Sequence, residues 1–216
     1  MRHFFLLIFL CSLSCKSDKK YHDTGAKEGT VVQINAIADI AAFQKKLNTE
    51  FKNPETSPLP DRYRKDFDGL EFFAPDTTLI VLARLELTPN ALPFDMPTTT
   101  ERLSREVVYG IAYFTLNGSP QQLEIYQNKE LNLQEGYEDY LFLPFTDETN
   151  GETSYMGGRY LDLRIPSGTY IEINFNKAYN PSCVYNKKYS CPIVPSVNAL
   201  DFKIEAGVKD FKLSLK

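Results

Sequence analysis

The spacing of apolar residues changes once along the chain, and the change divides it. From Ala36 to Lys52, Ile37, Ile40, Ala41, Leu47 and Phe51 recur near the spacing of one helix face, with Asn35 placed to cap it. This predicts one amphipathic helix. Pro54, Pro58 and Pro60 follow within residues 53–66, where proline's fixed φ and missing N–H end any continuation. Beyond Phe72 apolar and polar positions alternate. Thr78–Thr88 is an apolar, β-branched run, Val107–Leu116 reads as a strand, and N-G-S-P at Asn117–Pro120 reads as the turn into Gln122–Tyr126. Further strands are predicted at Tyr140–Phe145, Arg159–Ile165, Thr169–Asn176, Ala199–Glu205 and Phe211–Leu215. Many short strands after one helix predict a mainly β domain over residues 36–216: a twisted antiparallel sandwich or partly closed barrel with one N-terminal amphipathic helix.

The first residues follow a different pattern. Arg2, an apolar run from Phe4 to Leu10, and the small residues Ser12 and Ser14 before Cys15 make the three regions of a secretory signal. The run is far shorter than the roughly 20 residues a membrane-spanning helix needs. S-L-S-C resembles a bacterial lipobox, which implies cleavage after Ser14 and acylation of Cys15, although Ser12 stands where an aliphatic residue is usual. The division expected is a signal over 1–14, a lipid-anchored tether over 15–35, polar and without periodicity, and the domain after it. The expected location is the cell envelope, with the N-terminal lipid in a membrane; which membrane face is left open.

Cleavage changes the cysteine count. Cys11 leaves with the signal and Cys15 carries lipid, so Cys183 and Cys191 remain. In an oxidising compartment two such residues read first as a local disulfide, with free thiols and a metal site as the alternatives. Zinc would need about two further ligands. The two histidines, His3 and His22, lie in the signal and the tether, so no metal site is expected there.

Loss of residues 1–14 removes one basic residue, leaving 23 basic against 28 acidic side chains. This acidic, unpatterned balance argues against nucleic acid as a partner, since phosphate binding needs a basic face. A histidine-based nucleophilic site is disfavoured too, because the mature chain keeps only His22.

Six segments carry a resemblance to a known family: S-P-L-P-D-R from Ser57, G-L-E-F-F-A-P-D from Gly69, L-P-F-T-D-E-T-N-G-E-T-S-Y-M-G-G-R-Y-L-D-L from Leu143, F-N-K-A-Y-N-P-S-C-V-Y from Phe175, Y-S-C-P-I-V-P-S-V-N from Tyr189 and A-G-V-K from Ala206. On these residues the chain resembles the bacterial domain of unknown function 1684 family, from about Phe43 to Lys209. The resemblance implies no particular activity, substrate or cofactor. The chain departs from the family pattern at Asn174, where relatives often carry an acid, and at Val208, where many carry glutamate.

These segments concentrate between Asp147 and Asn198. Strand alternation puts Arg159 on the same face as Leu161, Leu163 and Ile165, so its guanidinium needs a carboxylate, and Asp147, Glu148 and Glu152 precede it in the chain. Two readings follow: an anion clamp, or an ion pair that pins the loop to the sheet, the second being preferred. D-E-T-N-G-E-T-S-Y offers oxygen ligands for calcium, a minor alternative to ordinary turns. Asn174, Asn176, Asn180 and Asn198 either line a polar cleft or brace loops through side-chain hydrogen bonds. Tyr155, Tyr160, Tyr179 and Tyr185 suit either ring stacking or half-buried packing.

The expectation is a binding or structural module with a polar pocket near Asp147, Glu152, Tyr155, Arg159, Asn176 and Asn180, taking an unknown small molecule, glycan or envelope protein. The alternative is a carboxylate-dependent hydrolase of envelope glycans using Asp147, Glu152 or Glu205.

Overall fold

The computed structural model describes residues 25–212, with side chains from residue 35 onward; the predicted signal and the predicted acylation site lie outside the described residues. Helix α1 runs Gly25–Lys52, starting eleven residues ahead of the predicted helix, so Asn35 sits inside it rather than capping it. Its buried face also differs from the predicted one. Ile40 and Phe51 are buried with Leu47 half-buried, whereas Ile37 and Ala41 face solvent. The stop is built by the proline-rich segment. Ser57 donates its hydroxyl to the Phe51 carbonyl at 2.6 Å and accepts from Leu59 N–H at 3.1 Å, satisfying a terminal carbonyl of α1. A single helical turn, α2 (Asp61–Arg64), follows.

The strands are β1 (Ile80–Leu87), β2 (Phe94–Pro97), β3 (Leu103–Leu116), β4 (Ser119–Gln127), β5 (Tyr140–Phe145), β6 (Arg159–Arg164) and β7 (Tyr170–Asn174). Among the described residues they form one sheet, in the order β6-β5-β4-β3-β1-β7, with β2 on the first half of β3 and all pairings antiparallel. A bulge between Val108 and Gly110 separates the stretch of β3 that pairs with β2 from the stretch that pairs with β1. Asn117 and Gly118 both take positive φ, the conformation a two-residue hairpin turn requires, which is why N-G links β3 to β4.

The sheet curls until it nearly closes into a barrel. After β7 the chain makes a turn at Phe175–Lys177, and Tyr179 then exchanges backbone hydrogen bonds with Tyr160 of β6 at 2.9 and 3.0 Å. The Lys177–Asp39 ion pair at 2.6 Å ties α1 to the chain that follows β7.

Alternation along the strands separates two cores. Leu85, Phe114, Leu123, Leu143, Phe145, Leu161 and Ile173 fill the barrel. Tyr126, Phe142 and Tyr160 point outward and are covered by Met96 of β2 and by the segment carrying Tyr179, Cys183 and Cys191. Burial on both faces explains the near-continuous apolar run of β5. A third cluster, around Phe51, Leu59, Leu70, Tyr185 and Val208, seats α1.

One predicted strand is corrected. Residues 199–205 alternate in burial but form only an isolated bridge, Ala199 to Thr146. The backbone pairing stops at Leu200 N–H to the Thr146 carbonyl and Glu148 N–H to the Phe202 carbonyl; beyond these, the Asp147 carboxylate takes Ile204 N–H and Arg159 takes the Ile204 carbonyl. The predicted strand at Phe211–Leu215 begins as irregular chain at 211–212 and then leaves the described residues. Strand β2 was not predicted, because four residues ending in proline carry too little alternation.

Candidate functional site

Arg159 and Asp147 form the most deeply buried polar feature. Both side chains are fully buried, with Nη2 2.7 Å from Oδ2. The guanidinium also donates to the carbonyls of Ala206 and, at 2.8 Å, Ile204, and it lies between the rings of Phe73 and Phe145, 5.8 and 5.4 Å from their centroids. Asp147 accepts through Oδ1 from Thr149 N–H at 2.9 Å and Ile204 N–H at 3.1 Å. Burial pushes the Arg159 pKa down, and the charge of Asp147 opposes that shift. The geometry is that of an ion pair pinning the loop and the 204–206 stretch across the end of the barrel.

The loop's oxygens are engaged in the same way. Asn150 accepts from Asp147 N–H at 2.7 Å and donates to Ser154 and to the Tyr155 carbonyl, while Thr149 and Ser154 share a hydroxyl hydrogen bond at 2.7 Å. Among the described residues no group of three or more His, Cys, Asp or Glu side chains is placed to hold a metal ion.

The asparagines act as surrogates for strand backbone. Asn176 accepts from Asp76 N–H and donates to the Asp76 carbonyl, both at 2.7 Å. Asn198 does the same to Glu124 at 2.8 Å and also donates to the Pro144 carbonyl. Asn180 donates to the Lys209 carbonyl at 2.9 Å. Asn174 caps the Phe175–Lys177 turn by accepting from Asn176 N–H, and Val208 is buried. Gly207 has φ near +78°, and an added Cβ would lie 2.5 Å from the Ala178 carbonyl oxygen, so A-G-V must carry glycine.

Of the six predicted pocket residues, Glu152 alone borders a broad cleft at the surface. This cleft, about 520 Å³ in volume, lies between Arg62–Glu71, Glu152–Thr153 and Lys209–Lys212. Backbone hydrogen bonds set its walls: Lys209 N–H donates to the Glu71 carbonyl and Asp210 N–H to the Thr153 carbonyl, both at 2.9 Å. Tyr63, Phe67 and Phe211 supply aromatic surface, and Asp66, Asp68, Glu71, Glu152 and Asp210 supply carboxylates. Its cations are partly committed, with Arg62 stacked on Tyr63 at 4.6 Å and Lys209 over Phe73 at 5.3 Å. Glu152 bonds Lys203 at 2.6 Å, a contact that raises the pKa of that ammonium.

Sequence reasoning missed this cleft, although S-P-L-P-D-R and G-L-E-F-F-A-P-D flank one of its walls and A-G-V-K enters another. The acids grouped for hydrolysis do not meet: Asp147 is sealed inside, and Glu205 is exposed without bordering the cleft. Among the tyrosines, Tyr160 and Tyr185 are buried and Tyr155 and Tyr179 are half-buried. Cys183 and Cys191 are separate thiols lying side by side, with Cys183 N–H donating to the Cys191 sulfur at 3.1 Å.

A comparison with curated proteins found no match. Among solved structures, the solution NMR structure of the uncharacterized protein from gene locus rrnAC0354 of Haloarcula marismortui is similar at a TM-score of 0.62. It is 30% identical, and the match covers 86% of this chain and 97% of that one. Residues 65–209 hold the clamp, the asparagine braces and most of the cleft, and over that span the chain matches, and belongs to, the family described as Protein of unknown function (DUF1684).

Proposed function

We propose that the protein is an exported, lipid-anchored module of the cell envelope that binds a small polar ligand in the cleft bounded by Arg62–Glu71 and Lys209–Lys212. Export and anchoring rest on the signal pattern over Met1–Ser14 and on Cys15. Binding rests on the cleft itself. Its volume, about 520 Å³, is that of small-molecule sites, and it joins aromatic faces to hydrogen-bond acceptors. A sugar has that dual character, with ring faces to stack on Tyr63, Phe67 or Phe211 and hydroxyls to donate to Glu71 and Asp210.

The collection of carboxylates in the cleft favours a second reading, hydrolysis of a glycan, using cleft acids rather than the Asp147 set. Soluble N-acetylglucosamine oligosaccharides test both. Binding without cleavage, seen as a melting shift absent from a Glu71→Gln/Phe211→Ala double variant, supports the module; cleavage supports the hydrolase; neither would sink the glycan assignment. Mass spectrometry of the N-terminus after expression in a lipoprotein-competent bacterium tests the anchor, which an unmodified N-terminus would exclude.

A further inference from the structure

The segment Ser182–Cys191 joins the outer aromatic cluster to the wall of the cleft, and its two cysteines differ in access. Cys191 is locked from both sides: its carbonyl accepts from Thr99 N–H at 2.8 Å, its N–H donates to the Thr99 hydroxyl at 3.1 Å, and Ile193 N–H donates to Pro97 O at 2.8 Å. The Ser190 hydroxyl adds bonds to Thr98, Thr100 and Arg102. Cys191 is buried as part of the cluster of Met96, Tyr126, Phe142 and Tyr160, whereas Cys183 is half-buried in the turn Ser182–Val184.

We propose that Cys183 and Cys191 form a reversible thiol–disulfide exchange site, with Cys183 as the entry thiol, Cys191 as the resolving thiol, and an external disulfide as co-reactant. The Cys183 thiolate attacks the external disulfide, forming a mixed disulfide and expelling one thiolate. Cys191 then loses its proton to solvent and attacks the Cys183 sulfur, expelling the second thiolate. The two protein thiols give up two electrons and two protons, and the external disulfide takes the electrons as two thiolates.

Access and acidity agree on this order. Burial pushes the Cys191 thiol up to about 12, which keeps it protonated at neutral pH, with Cys183, Tyr155, Tyr160 and Arg102 as its charged or titratable neighbours. The Cys183 N–H that points at the Cys191 sulfur stabilises the thiolate when it forms. Between the cysteines, Tyr185 packs edge-on against Phe51 and Phe211 with centroids 4.7 and 4.8 Å apart, and Phe211 lines the cleft. Closure therefore staples the loop that supports one cleft wall.

The site rests on the envelope reading only for its oxidising surroundings, and its chemistry is tested without them. The full chain carrying Cys11→Ser and Cys15→Ser, reduced and desalted, is mixed with dithiobis(nitrobenzoate). The expected result is two released thionitrobenzoates per chain and no retained adduct, with the first adduct in acid-quenched peptide maps on Cys183. Cys191→Ser should release one and keep an adduct. Cys183→Ser should react roughly tenfold more slowly or less. First labelling on Cys191 would overturn the entry assignment in the unmutated pair, whether or not either variant folds, and two retained adducts would overturn the exchange site.

Discussion

Single residues in this protein carry bonds that a sheet elsewhere would supply. The Asp147–Arg159 pair, buried at 2.7 Å, holds the backbone of Ile204 and Ala206 where no neighbouring strand reaches. An ion pair so placed is worth most when one partner is lost, because the other stays charged in a desolvated site. Asp147→Ala should therefore cost about 3–5 kcal/mol in urea denaturation, and Arg159→Met/Asp147→Leu should cost clearly less than the two single changes summed. A loss below about 1 kcal/mol for Asp147→Ala would show that the loop does not depend on the clamp.

At the scale of elements, α1 is held by one stripe, Ile40, Leu47 and Phe51, with the proline-rich connector closing its end. Ile40→Ala should cost about 2–5 kcal/mol, whereas Ile37→Ala, on the solvent side, should stay within about 0.5 kcal/mol. Equal costs would mean that the helix seats on the other stripe. The element order shows what alternation can and cannot reveal. β1, β3, β6 and β7 were legible because each has one face in the barrel, β5 was legible as a short apolar run, and N-G made the β3–β4 hairpin legible as well. Residues 199–205 carry the same alternation, yet beyond two backbone bonds to Thr146 and Glu148 their partners are the Asp147 and Arg159 side chains, and nothing in a period-two pattern says whether the partner is a strand or a side chain. That Arg159 needs an acid was legible, since a cation on an apolar face requires one, but which of Asp147, Glu148 and Glu152 supplies it was not. The cleft was not, because it joins Arg62–Glu71 to Lys209–Lys212, segments distant in sequence and without periodicity, whose meeting is fixed by the Phe72–Val208 bridge.

The whole molecule has a tyrosine-rich outer core, and that composition sets its response to alkali. Burial raises the phenol pKa of Tyr126, Tyr140, Tyr160, Tyr179 and Tyr185, and Glu124 and Asp162 add to the shift at Tyr126, Tyr140 and Tyr179 by accepting hydrogen bonds from their hydroxyls and by their negative charge. In the unfolded chain the same phenols ionise near pH 10. Above that pH the unfolded state binds fewer protons than the native one, so stability falls as pH rises, by about 1.4 kcal/mol per pH unit for each phenol still protonated in the fold. Cys191 begins the decline somewhat earlier, because its unfolded thiol ionises near pH 8.5 while burial holds the native one up to about 12. Melting temperature should therefore change little from about pH 6 to pH 8 and drop steeply above about pH 9.5. Tyr185→Phe should remove one phenol's share of that slope and leave the neutral plateau nearly in place. A stability curve flat up to about pH 11 would mean that these phenols ionise as readily in the fold as outside it, and that the outer core is open to water.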